Sequence, residues 1–203
     1  SASGDDAGAL CVPALRPSSG VWSITFKVVD AGGSGARLGL MAPSMPTGYP
    51  PGCNRGSNRY AGVGYCPSGD VCAGGGNVKS GLAEYTSGDE IRIECDTGAA
   101  CARFFKNGAL VCTVTRAEVE TKPWVPAAPA FPDGWHFAAG RWGGTVQVRI
   151  IAGSIGGGVA PSTPAPAPAL PMPSGAAFSF DPSHKGDRAQ LSESNALVSA
   201  SGD

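Results

Sequence analysis

The chain has 203 residues, with 15 Lys and Arg against 16 Asp and Glu and a formal net charge of −1. No basic stripe offers itself to nucleic acid, no acidic tail suggests a solvating arm, and no apolar run reaches the length that a membrane-spanning helix needs. Gly 31 and Pro 18 bring the composition near low complexity, yet a 42% hydrophobic fraction supports a core, so one ordinary domain with added segments is expected.

Residues 1–5 and 199–203 are the same pentapeptide, Ser-Ala-Ser-Gly-Asp. Self-similarity at a fixed period marks an array, and superposing the two pentapeptides sets Asp6 of one copy directly after Asp203 of another. With Ser first and no leader, the sequence reads as a processed segment or as one period cut from a repeat.

Val21 to Val29 alternates, with Trp22, Ile24, Phe26 and Val28 on one face and Ser23, Thr25 and Lys27 on the other. A period of two over that length predicts a half-buried strand. Ala36 to Met41 predicts a second strand after the Gly-rich turn at 32–35. Ile91, Ile93 and Cys95 alternate with Arg92 and Glu94, and Cys101–Lys106 and Ala109–Val114 flank Asn107-Gly108, the strongest short-range hairpin signal. Val146, Val148 and Ile150 close the series with Gln147 and Arg149 outward. No stretch holds a helical period over three turns, so an all-β antiparallel sandwich is expected.

The composition then changes. Residues 1–152 form the strand-bearing domain, 153–175 a linker with Gly first and Pro after, and 176–203 a segment that again looks folded. Seven cysteines, Cys11, Cys53, Cys66, Cys72, Cys95, Cys101 and Cys112, all lie in the domain. Their spacing is not that of a zinc site or a redox Cys-x-x-Cys, and His136 and His184 are the only histidines, so no metal or cofactor is expected. Disulfides in an oxidising compartment fit better. Three bridges and one orphan allow roughly 105 connectivities, with Cys66–Cys72 and Cys95–Cys101 the local candidates.

Taken in order, Ser19-Gly20-Val21-Trp22-Ser23-Ile24, Arg37-Leu38-Gly39-Leu40 and Tyr60-Ala61-Gly62-Val63-Gly64-Tyr65 resemble successive strands of the SPRY/B30.2 family. So do Ser87-Gly88-Asp89-Glu90-Ile91 leading to Asp96, Arg103-Phe104-Phe105-Lys106-Asn107-Gly108, and the closing stretch Trp135 to Ile150. The resemblance covers about residues 19–152 and implies a bent sandwich of two antiparallel sheets. The cysteines and the inserted loop Ala42–Arg59 depart from it. Phe180-Asp181-Pro182-Ser183-His184-Lys185-Gly186, with Ala189-Gln190-Leu191-Ser192 and Asn195-Ala196-Leu197-Val198, resembles the family segment that ordinarily precedes these strands. Here it follows them, and joining the two pentapeptides would restore the usual order.

Catalysis finds no support in the residues. His136 stands beside Trp135 in an expected strand and His184 in a turn, Asp89 and Asp96 resemble turn and strand-end residues, and Gly74-Gly75-Gly76 is not followed by a phosphate-binding helix. Arg103 and Lys106 flank the core hairpin aromatics, which is not a nucleic-acid platform. The linker stretch Pro161 to Ala169 favours extended polyproline II. Its Ala-Pro alternation resembles arabinogalactan-protein glycomodules, which implies O-glycans on Ser162, Thr163 and hydroxylated Pro164, Pro166 and Pro168. No Asn-x-Ser/Thr sequon occurs. At ~3.1 Å per residue, fifteen such residues span roughly 45 Å.

The expected function is therefore structural: a protomer or tandem-repeat unit of an extracellular, O-glycosylated filament whose partner is itself. Residues 176–203 would supply strands to the next sandwich, with Phe178, Phe180, Leu191, Leu197 and Val198 as the apolar residues that fill it. The alternatives are a peptide- or protein-binding SPRY module, reading partners through loops at one end of the sandwich, and an extracellular lectin-like domain.

Overall fold

A computed structural model describes residues 6–16, 20–33, 35–43, 48–52, 54–55, 58–59, 62–121, 131–154, 178–185, 189–192 and 197–200. In chain order its strands are β1 (Asp6–Val12), β2 (Val21–Asp30), β3 (Ala36–Met41), β4 (Asn54–Arg55), β5 (Asn58–Arg59), β6 (Gly62–Tyr65), β7 (Val71–Ala73) and β8 (Gly76–Lys79). There follow β9 (Glu90–Asp96), β10 (Cys101–Lys106), β11 (Ala109–Thr115), helix α1 (Arg116–Glu120), β12 (His136–Trp142), β13 (Val146–Ser154), β14 (Ser179–Lys185), β15 (Ala189–Ser192) and β16 (Leu197–Ala200).

Two seven-stranded antiparallel sheets face each other, in the orders β14-β1-β12-β3-β6-β7-β8 and β11-β10-β9-β2-β13-β16-β15. The inward side chains of both sheets form one core, as the all-β sandwich expectation requires. β2 buries Trp22, Ile24, Phe26 and Val28 on the face that its period predicts, and β9 likewise buries Ile91, Ile93 and Cys95. β3 has the predicted bounds. In the β10–β11 hairpin Asn107 and Gly108 both take positive φ, 49° and 85°, as a two-residue hairpin turn of this hand demands.

Two kinds of element escape the periodicity. β1, paired along both edges by β14 and β12, buries Ala9, Leu10 and Cys11 in succession, so both of its faces are covered. A strand covered on both faces shows no alternation. Helix α1 is five residues long, too short to display a helical period. Its start is nonetheless written locally, since the Thr115 hydroxyl accepts from the Glu118 N–H and the Glu118 carboxylate accepts from the Thr115 N–H.

Candidate functional site at the seam closed by the C-terminal strands

One C-terminal segment supplies strands at the edge of each sheet. β14 joins β1, with Ser179 opposite Val12 and Phe180 opposite Cys11. β16 joins β13, with Leu197 opposite Arg149 and Val198 opposite Val148, and β15 continues outward from β16. Without the segment, β1 and β13 would be bare edges with unpaired backbone N–H and C=O groups.

The side chains of the segment reach into the core. Phe178 meets Phe137 edge-on at 5.4 Å between ring centroids and lies 6.3 Å from Trp22. Phe180 stacks on Phe26 at 6.2 Å. Phe178, Phe180, Leu197 and Val198 are buried, and Leu191 is half-buried against the core. Each buried side chain of this size contributes about 1.5–3 kcal/mol, so the five form an apolar plug rather than a surface patch. At the same seam Arg141 is fully buried; its Nη1 donates to the Gly144 carbonyl, while Nε and Nη2 meet no partner among the described residues. A small cavity beside it is lined by Gly8, Val146, Ala189 and Val198, residues of both body and segment.

Two further contacts place the ends of the segment. Ser154 pairs with Ser23 at the end of β13, and a Cβ on Gly153 would stand 2.4 Å from the Phe178 ring. The points where the chain leaves the body and re-enters it therefore touch. At the other end of β13, Ala200 pairs with Val146, and Asp6 pairs with Trp142 across the same β12–β13 turn. The end of β16 and the start of β1 thus flank one turn, as residues that could follow one another in sequence would.

This architecture recurs in solved structures. A human SPRY domain superposes with a TM-score of 0.51 at 23% identity, over 73% of this chain and 85% of that one. The SPRY domain of human HERC1 gives 0.53 at 17% identity, over 73% and 83%. The fold is that of a SPRY domain. No family model and no curated protein matches the sequence. The SPRY-like sandwich here includes strands contributed from the far side of residues 155–177.

The remaining predicted site residues separate clearly. Ser162, Thr163, Pro164, Pro166, Pro168 and Cys53 lie outside the described residues. The six described cysteines carry free thiols. Cys66 and Cys72 come together, Sγ to Sγ 3.5 Å. Cys95 and Cys101 do not suit a bridge: Cys95 stands opposite Ala102 and Cys101 opposite Asp96, so the pleat sends their side chains to opposite faces. Cys11 is sealed in the core, where burial pushes its thiol well above the ordinary value. Cys112 is half-buried opposite Phe104. His136 Nδ1 lies 2.8 Å from the Cys11 carbonyl, a bond between neighbouring strands. Among the described residues no group of three or more His, Cys, Asp or Glu is placed to hold a metal, and no helix is long and apolar enough to cross a membrane.

Asp89 has a structural task. Burial pushes its carboxyl up, but the Thr86 N–H, the Asn107 amide and the Lys106 ammonium outweigh that and hold its pKa below the ordinary value. A carboxylate with a depressed folded pKa contributes fully above its unfolded pKa of about 3.9, and the contribution is lost as pH falls through the folded value. Asp89→Asn is therefore expected to flatten the fall in stability below about pH 4 that the unsubstituted chain shows. Urea unfolding at a series of acid pH values checks this; parallel stability curves would show that Asp89 makes no such contribution.

Proposed function

We propose that the chain is a structural interaction module, not an enzyme, which assembles with copies of itself by strand donation. In the assembly, residues 176–203 of one copy close the seam of a sandwich built from residues 1–152 of another. The observation that carries this reading is the contact between Gly153 and Phe178 at the two ends of residues 155–177. A Pro/Ala run that favours extended backbone is poorly suited to joining two points that touch. Extended, the 155–177 stretch reaches about 70 Å, enough to leave one sandwich and enter another. The register adds to this, because Ala200 and Asp6 flank one turn, so the end of a donated segment lies beside the start of β1. Such head-to-tail contacts are heterologous, and when their rotation does not close they build open filaments.

The setting is extracellular, with O-glycans on Ser162, Thr163 and hydroxylated Pro164, Pro166 and Pro168 shielding the spacer. Peptide mass mapping of residues 150–180 from native material is expected to show hexose or pentose increments on these positions. An unmodified mass would leave the stretch as a bare spacer. Assembly itself is tested by light scattering of the full chain against concentration, where a ladder of multiples is expected.

A second reading, a module that binds a peptide of another protein through loops at one end of the sandwich, is favoured by the likeness to SPRY domains. A chain that stays monomeric at every concentration and captures such a peptide would put this reading first.

A further inference from the structure

Away from the seam, the β6–β7 hairpin carries a thiol pair that the assembly reading does not use. Cys72 stands opposite Gly64, and Cys66 lies two residues beyond Gly64, so both cysteines leave the same face of the sheet on a diagonal. Gly64 offers no side chain between them. The two Sγ atoms are 3.5 Å apart. From the neighbouring β3, Arg37 donates through Nη1 to Cys66 Sγ at 2.9 Å, while its guanidinium also lies over the Trp142 ring. On the other side Cys72 Sγ donates to Asn77 Oδ1 at 3.2 Å, a bond that favours the neutral thiol and is given up when Cys72 ionises. The cluster thus holds two sulfurs, a fixed cation and a polar wall.

We infer that Cys66 and Cys72 form a dithiol site that exchanges with small-molecule disulfides and closes to an intramolecular bond, with Cys72 as the attacking sulfur and Arg37 as a positioning residue. A hydrogen bond from Cys66 is the largest influence lowering the Cys72 thiol, burial opposes it, and the Arg37 charge assists, bringing it to about 6; the Asp70 carboxylate works against this. Cys66 is correspondingly pushed up. Both residues are buried, Cys72 at 8% exposure and Cys66 at 3%, so the hairpin must open locally to admit a disulfide. The remaining described cysteines with resolved shifts, Cys11, Cys95, Cys101 and Cys112, are all pushed up by burial, so thiolate reactivity concentrates on this pair.

The exchange balances with glutathione disulfide as oxidant. The Cys72 thiolate attacks one glutathione sulfur, forming a mixed disulfide and expelling a glutathione thiolate. That thiolate takes the Cys66 proton, and the Cys66 sulfur attacks Cys72 Sγ, expelling the second glutathione thiolate, which takes a proton from solvent to replace the one lost when Cys72 ionised. Two protein thiols are oxidised and one disulfide is reduced to two thiols.

The test uses the reduced full chain with glutathione disulfide, followed by peptide mapping over time. The expected product is a Cys66–Cys72 cross-link with no lasting glutathione adduct. Cys66→Ser should trap the adduct on Cys72, and Cys72→Ser should leave Cys66 slow. Arg37→Gln should slow closure by about tenfold, with Arg37→Lys restoring part of the rate and circular dichroism confirming that each variant is folded. A first adduct on any other cysteine, or a Cys72 adduct that never closes in the unsubstituted chain, overturns the site. An Arg37→Gln variant that closes at the original rate overturns the role of Arg37.

Discussion

Phe180→Ala is expected to destabilise the sandwich by about 3–5 kcal/mol, and Phe180→Asp to prevent closure of the seam altogether. The ring is fully buried, stacks on Phe26 and sits opposite Cys11 in the pairing of β14 with β1. Truncation leaves a cavity between the two sheets, and a carboxylate there meets no cation, since β1 has none and Lys27 of β2 lies on the opposite face, bonded to the Gly88 carbonyl and Glu90. An unpaired buried charge costs several kcal/mol even after the site adapts. Leu191→Asp should do less harm, because Leu191 is only half-buried at the outermost strand. Urea titration of the three variants gives the order Phe180→Asp, Phe180→Ala, Leu191→Asp in falling severity. Equal losses for Phe180→Asp and Leu191→Asp would mean that the segment docks loosely, as an adhering tail.

Removing the segment altogether should have the other large effect. Residues 1–152 alone retain Trp22, Phe26 and Phe137 but lose the rings that cover them, and two sheet edges become bare. Exposed apolar edges of this kind invite aggregation. The fragment is expected to aggregate when expressed by itself, and a synthetic 176–203 peptide added in trans to restore a soluble, cooperative fold. The restored complex should unfold as one unit, with a midpoint that rises with peptide concentration. A fragment that folds stably and ignores the peptide would show that the seam is dispensable.

The sequence makes the fold legible wherever one sheet face is polar. β2, β9 and the β10–β11 hairpin announce themselves through alternation and Asn107-Gly108, and the order of their motifs carries the resemblance to SPRY domains. β1 is silent because both of its faces are covered, and α1 because a single short turn of helix has no period. The seam was legible in part: Phe178, Phe180, Leu197 and Val198 stand out as apolar residues in a polar segment, and all are buried as filler. Which edges they would cover is a matter of register, which local patterns cannot specify. Of the expected thiol pairs, Cys66 and Cys72 come together because they stand at diagonal positions on one face of the β6–β7 hairpin. Cys95 and Cys101 are kept apart by the pleat, an alternation that spacing along the chain does not reveal. The approach of Arg37 to Cys66 is equally invisible along the chain, since it depends on β3 lying beside β6.

The central claim is that the closing strands pass between copies, and isotope mixing addresses it directly. Isotope-labelled and unlabelled full-length chains are unfolded together, refolded at high concentration and cross-linked by a photoreactive group at position 178, which faces Trp22 and Phe137. The linked peptides are then weighed. Strand donation predicts that peptides joining a labelled segment to an unlabelled body, or the reverse, are as abundant as the two uniform kinds combined. Linked peptides of uniform isotope alone would show that each chain closes its own seam, and would contradict assembly by strand donation.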